Sequence, residues 1–463
     1  MKKIVFGLVA IVATFQLYSQ KVIQLEDCRQ MALNHNKSVQ MAQESVQAAR
    51  ELKKAAFTQF LPNFSANGAY TWNQKNLSLL SENAKLPTYS LTTGTMTGYT
   101  VLPKSALEYD IQNIFAGSIG FLQPIFMGGK IKELDHIAKY GENLALAQQE
   151  NKITELLLEV DEAYWRVVSL ESKVQLAKEY RNLVAQVDSD VNVSIEEGVA
   201  TKSEALKVKV KLNEADITVT KAEDGLNLSR MALNQLCGIA LEDVYTLADQ
   251  DLADETPTRL IPIDQALNNR PEIKQLTQME NIAKSNEKIM LSRFMPNIVL
   301  SGNYLLTNPN SFDGYKNEFG GMFSVGIVAN IPLYHFGDKI HTLNAAKSQH
   351  KIATLQLEET KEKMQLQIKQ SSYKVAESLK KKTSTQHNIE QAEENLHYAT
   401  EGFDAGVITS TDLLGAQTAW LSAKSENIDA TIDVKLCNLY LSKSLGTLNA
   451  PVLKNQPTKK IKK

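Results

Sequence analysis

Two parts of this 463-residue chain are copies of one another, which constrains the fold more than its length does. Ala32-Leu33-Asn34 returns as Ala266-Leu267-Asn268, and Phe60-Leu61-Pro62-Asn63 returns as Phe294-Met295-Pro296-Asn297, both 234 positions on. Gly68 and Tyr70 return at the same offset as Gly302 and Tyr304. Farther along, Pro124-Ile125-Phe126-x-x-Gly129 matches Pro332-Leu333-Tyr334-x-x-Gly337, and Gly198-Val199-x-Thr201-x-x-Glu204 matches Gly406-Val407-x-Thr409-x-x-Asp412, now 208 positions on. The register drops by 26 between Tyr70 and Pro124, so the first copy carries an insertion there. A tandem duplication means that whatever one half forms, the other forms too. The usual prior of several unrelated domains is set aside.

Each copy reads as helix, strand, strand, long helix, shorter helix. Residues 26–61 are rich in Ala, Gln, Glu and Lys and stop at Pro62, as a helix does before proline. Residues 64–73 and 113–123 then alternate with period two, separated by a polar loop rich in Ser and Thr. The second copy offers strands 298–306 and 321–331. Strands of about ten residues have the length that crosses a bilayer when tilted. From 130 to 197 no proline intervenes, and apolar residues fall at 153, 157, 160, 164, 167, 170, 174, 177, 180, 184, 187 and 191, the spacing of a coiled coil. At about 1.5 Å per residue such a helix is on the order of 100 Å long. Residues 338–405 form its counterpart, and 201–237, 264–295 and 409–445 are the shorter helices. Two short helices stacked end to end match one long one. The organisation expected is a first repeat over 21–238, an inter-repeat segment over 239–263, a second repeat over 264–448, and a basic tail over 449–463.

Both turns from long to short helix carry a stopping glycine followed by threonine and, three residues on, a carboxylate. Gly198 and Gly406 suit the left-handed position that ends a helix. Thr201 with Glu204, and Thr409 with Asp412, have the spacing of a capping box, so these acids read first as helix caps.

The first 20 residues, two lysines and then a short apolar run ending in Ser19 and Gln20, read as a secretory signal peptide. With 50 basic against 52 acidic residues there is no footprint for nucleic acid. Cys28, Cys237 and Cys437 show no C-x-x-C spacing and read as isolated thiols. The seven histidines lack metal-ligand spacing, and no nucleophile elbow or phosphate loop occurs. No catalytic, cofactor or metal site is expected. Gly128-Gly129 and Gly320-Gly321 read as corners at strand ends.

Four membrane-length strands cannot close a barrel, for which about eight is the practical minimum, and open edges in lipid are prohibitive. The chain is expected to oligomerise. Three copies would supply twelve strands and two would supply eight, and a trimer also supplies twelve helical columns. The fold expected is mostly α-helical with transmembrane β-strands: a barrel, twelve-stranded in a trimer, continued by a hollow helical cylinder. The aromatics Tyr70, Trp72, Phe121, Phe126, Tyr304, Phe323 and Tyr334 are candidates for girdles at the membrane interfaces. A secreted coiled-coil structural or adhesion protein is the alternative; it explains the helices and the export signal but not the paired strands.

The duplication, the Ala-Leu-x-x-Asn start, the Leu-Pro-Asn and Phe-Met-Pro-Asn helix ends, the strand-to-helix corners at Pro124, Gly129, Pro332 and Gly337, and the tip Phe403-Asp404-Ala405-Gly406-Val407-x-Thr409-x-x-Asp412-Leu413-Leu414 resemble the TolC-like outer membrane efflux proteins. The resemblance covers residues 22–448. It implies a homotrimeric channel in the outer membrane of a Gram-negative bacterium, in contact with outer-membrane lipid, with a long periplasmic α-barrel. It also implies a periplasmic adaptor (a membrane fusion protein) and, through it, an inner-membrane pump, for efflux or type I secretion. Gly198, Val199, Thr201, Gly406, Val407 and Thr409 would be adaptor-docking tips. By alignment, the family's gate aspartate falls on Asp412 and its gate tyrosine on Phe403, while the partner polar pair falls on Ser203 and Glu204. An arginine and a second aspartate of some members fall on Ile408 and Gly415. The implied gate is therefore a reduced acidic ring of Asp412 and Glu204.

Overall fold

The computed structural model describes residues 22–248, 258–334 and 336–448. The expected signal peptide, the middle of the inter-repeat segment and the basic tail lie outside the described residues. In chain order the elements are β1 (Val22–Ile23), α1 (Leu25–His35), α2 (Lys37–Thr58), β2 (Asn63–Trp72), β3 (Leu77–Ser78), β4 (Ala84–Tyr89), β5 (Met96–Leu102), a 3-10 turn (Lys104–Leu107), β6 (Glu108–Tyr109), β7 (Asn113–Met127), α3 (Lys130–Glu196) and α4 (Lys202–Cys237). They continue as β8 (Thr246–Leu247), α5 (Ile263–Asn269), α6 (Pro271–Ser292), β9 (Asn297–Asn308), β10 (Gly320–Asn330), α7 (Asp338–Asp404) and α8 (Ser410–Ser444). The chain divides into two compact units, one formed by the described parts of 1–46, 145–276 and 357–463, the other by 47–144 and 277–356.

The second unit holds an antiparallel sheet in the order β10-β9-β7-β2. Directly opposed residues share a face, and the register sorts the side chains. One face carries the rows Phe64-Phe121-Gly302-Val325 and Ala66-Ile119-Tyr304-Phe323; the other carries Asn67 with Ser118, and Gly120, Asn303 and Ser324. One side is apolar and aromatic; the other has no strand aromatic and mixes these small and polar residues with Leu122, Leu305, Met322 and Val328. All six strand aromatics named from the sequence, including Phe126 opposite Ile298, lie on the apolar side. Phe64 and Phe121 stack at 5.9 Å between ring centroids, and Tyr70 and Phe115 at 5.0 Å. Gly302 and Gly321 make room for neighbouring rings: a Cβ would stand 2.4 Å from Phe121 at the first and 2.2 Å from Tyr304 at the second. β2 and β10 each have a partner on one side only.

Four expectations change. Helix 26–61 is two helices broken at Asn36, whose Oδ1 accepts hydrogen bonds from the Ser38 and Val39 amides and so starts α2. Helix 264–295 breaks at Arg270, which precedes Pro271 and is steered away from helical backbone. The Ser/Thr-rich insertion is not a plain loop, because β4 and β5 pair antiparallel within it. Pro124 does not mark the corner; β7 runs on to Met127 and takes up the proline, which has no N–H to give, at a register shift between Pro124 and Phe126. The turn falls at Gly128 and Gly129, with φ of 59° and 85°. In the second copy Gly337 has φ 86°, Pro332 follows β10, and Phe336 stands in place of a glycine at φ 45°.

In the first unit the seam positions of α3 are buried, apart from Leu170, which is half-buried against the same core. Leu157, Val160, Tyr164, Val167 and Val184 are completely inaccessible. One core gathers α1, α4 and the β1–β8 pair around Tyr164, and a second, nearer the tips, gathers Val184, Val187, Val191, Val208, Leu413 and Trp420. Arg29 of α1 grips Asp161 of α3 with both Nε and Nη2, Nε lying 2.7 Å from Oδ1. The long helix α7 keeps part of its apolar surface outside: Tyr373 is 77% and Tyr398 60% exposed.

Candidate functional site

The residues singled out at the two tips come together at one end of the first unit. α3 ends in a loop whose Gly198 (φ 78°) donates to the Ile195 carbonyl, while the Val199 and Ala200 amides both donate to Ser194. α7 ends the same way: Gly406 (φ 71°) donates to Phe403, and Val407 and Ile408 both donate to Gly402. Left-handed glycines let the chain reverse while the last carbonyls stay paired. The reversal leaves Val199 78% and Val407 81% exposed. Two bare valines at the points of two helical hairpins are apolar surface that nothing among the described residues covers.

The caps differ between copies. Thr201 Oγ1 accepts from the Glu204 amide at 3.3 Å, and Glu204 Oε2 accepts from the Thr201 amide at 2.9 Å, a closed reciprocal box. Hydrogen bonds from the Thr201 backbone and side chain hold the Glu204 carboxyl below its ordinary value. Thr409 Oγ1 accepts from the Asp412 amide at 3.2 Å and donates to Asp412 Oδ2 at 2.7 Å. The aspartate is one methylene shorter and does not close the box onto the Thr409 amide.

A groove of about 730 Å³ lies between the tips, with Asp190, Glu204, Asp404 and Thr409 among its lining residues. Phe403 borders it and is half-buried, packed on the tip core rather than free. Ser203 and Asp412 are exposed on the first turns of α4 and α8. Ile408 lies over Gly402, where a Cβ would stand 2.6 Å from its Cδ1. Among the described residues no cluster of His, Cys, Asp and Glu is arranged to hold a metal ion. Sequence reasoning missed two placements: the Arg29–Asp161 pair, and Cys28 against Cys237, thiols that it took as isolated. Neither had a signal at separations of 132 and 209 positions.

Known proteins share this architecture. VceC, an outer membrane protein of Vibrio cholerae, superposes with a TM-score of 0.73 at 17% identity, over 91% of this chain and 96% of that one. The open-state MtrE outer membrane channel of Neisseria gonorrhoeae gives 0.72 at 17% identity, over 92% and 89%. In sequence, the proteases secretion protein PrtF of Dickeya chrysanthemi is 23% identical over 256 residues, 53% of this chain and 55% of that protein. The chain thus spans about half the length of this curated relative. The profile of the outer membrane efflux protein family matches residues 28–239 and 262–447, taking in both sets of helices, the paired strands and both tips. The chain belongs to the outer membrane efflux protein family.

Proposed function

We propose that three copies of this chain form an outer-membrane exit channel. It passes substrates from a periplasmic adaptor and an inner-membrane pump to the exterior, in efflux or type I secretion. The carrying observation is the four-stranded sheet, with its aromatics on one face and its Ser and Asn side chains, among aliphatic ones, on the other, and with β2 and β10 unpaired along their outer edges. β2 to β10 pairing between copies satisfies every edge and closes twelve strands, with the aromatic face to lipid and the Ser/Asn face to the lumen. At about 3.4 Å per residue and a tilt near 45°, such strands span the apolar band of about 25 Å. The exposed flank of α7 packs on the next copy in a periplasmic helical barrel.

The family and the fold are those of channels, and the reading assigns no reaction to the chain. In it the β4–β5 insertion faces outside the cell, the two repeats are 21–238 and 264–448, and 239–263 belts the helical barrel. Val199 and Val407 dock on the adaptor, while Glu204 and Asp412 ring the periplasmic mouth. The likeness to a proteases secretion protein supports type I secretion as one of the two settings. Native mass spectrometry of the detergent-extracted protein, with conductance in planar bilayers, tests the proposal. A trimer that opens ion-conducting pores is expected, and a stable monomer without conductance overturns it.

A further inference from the structure

Cys28 and Cys237 are 209 positions apart and face each other inside the first core. They are 0% and 1% exposed, and both are free thiols. The Cys237 thiol donates to the Cys28 carbonyl at 3.7 Å, and both side chains belong to the same buried cluster. Their helices are held in register from both ends. β1, just before α1, pairs with β8, just after α4. Gly238 lies so close to α1 that a Cβ there would stand 2.6 Å from His35 Cβ. Asn234 and Tyr245 lock the turn after α4, the tyrosine hydroxyl donating to Asn234 Oδ1 at 2.7 Å. Neither cysteine borders the tip groove or lies in the sheet, and the exit-channel reading uses neither. Cys437 stands apart on α8.

We propose that Cys28 and Cys237 are a disulfide-forming site, closed during assembly, that ties α1 to the end of α4 across the whole first repeat. The proposal rests on the exit-channel reading, because disulfides persist in compartments outside the cytosol. The oxidant is a disulfide RS–SR carried by a dithiol oxidant of the cell envelope. One chain thiolate attacks it, forming a mixed disulfide and expelling RS⁻; the second thiolate attacks the chain sulfur of that mixed disulfide and expels the other RS⁻. The two chain thiols give up two protons and two electrons, and RS–SR is reduced to two thiols. The hydrogen bond with Cys237, and then burial, push the Cys28 thiol up in the folded pair. Both thiols are closed off from an oxidant once α1 docks, so the bond forms ahead of core closure.

The test counts thiols by mass-tagged maleimide after denaturation, on protein from the outer-membrane fraction. Without reductant one adduct is expected, on Cys437; with reductant, three. Cys28→Ser and Cys237→Ser should each show two adducts under both conditions, and Cys437→Ser none without reductant. Three adducts on unreduced wild-type protein from that fraction overturn the proposal. Recovery of the chain in the cytosol would sink the exit-channel reading instead. Refolding with oxidised glutathione then decides the pairing: a peptide joining residues 28 and 237 upholds it, and two free thiols overturn it.

Discussion

Replacing Asp161 with asparagine keeps the shape of the side chain and removes the charge that Arg29 grips. Asp161 is 2% exposed and Arg29 18%, so the guanidinium is left largely desolvated and facing a neutral amide. Breaking a buried pair by removing one partner costs about 3–5 kcal/mol, against a pair whose net worth is small. Arg29 keeps Glu26, 3.2 Å away on its solvent side, which places Asp161→Asn at the lower end, about 3 kcal/mol. That energy acts where α1 docks on α3. Local opening of α1 should therefore become about a hundredfold more frequent. Hydrogen exchange of the α1 amides measures it, in reductant so that the ion pair is read apart from any Cys28–Cys237 bond. Amides of α8 serve as an unaffected reference. Arg29→Met with Asp161→Leu, which removes both charges, should restore most of the protection. Unchanged α1 exchange in Asp161→Asn, or a double variant no better than the single ones, refutes the reasoning.

Gly302→Ala pushes on the Phe121 ring and should cost about 1–3 kcal/mol by overpacking; the melting midpoint of the detergent-solubilised protein should fall and should recover when Phe121→Ala is added. Because the folded Glu204 carboxyl is held below its ordinary value of 4.5, its cap is complete above that pH and is lost as pH falls through the lowered value. Exchange at the start of α4 should accelerate over that window in wild-type protein but not in Glu204→Gln, which still caps. Asp412→Asn also still caps while dropping a charge at the proposed mouth, so lower cation selectivity in planar bilayers marks an electrostatic role, and unchanged selectivity leaves capping alone.

The seam of α3 was legible because burial along a long helix repeats every three to four residues, and eleven of its twelve sequence-assigned positions are buried. The strands were legible by their period of two, to within a residue at most ends. The breaks in the short helices were missed although one copy announces them. Asn36 and Arg270 occupy the same place in the repeat, 234 positions apart, and Pro271 forbids in the second copy what the composition of the first allows. Carrying the proline across the repeat would have located both. The β4–β5 hairpin has no counterpart in the second copy, so no such cross-check existed. The corner at Pro124 was misplaced by reading proline as a stop, whereas a bulge admits it to a strand.

The Cys28–Cys237 contact and the Arg29–Asp161 pair belong to only one copy: the positions 208 after Asp161 and Cys237 hold Lys369 and Leu445. The second copy secures the same junction by other means. Arg270 is 3% exposed, grips Glu272 at 2.9 Å, and donates to the Ser444 carbonyl at 3.1 Å, tying the start of α6 to the end of α8. The first copy thus clamps α1 to the long helix α3 with a buried ion pair and sets it against the end of α4 through two thiols, while the second ties its helix joint to the end of α8 with an arginine and a backbone carbonyl. What duplication preserved is the mechanical connection. In the proposed helical barrel two short helices together hold the place of one long helix, and an unclamped joint there would leave each hairpin free to move about its break.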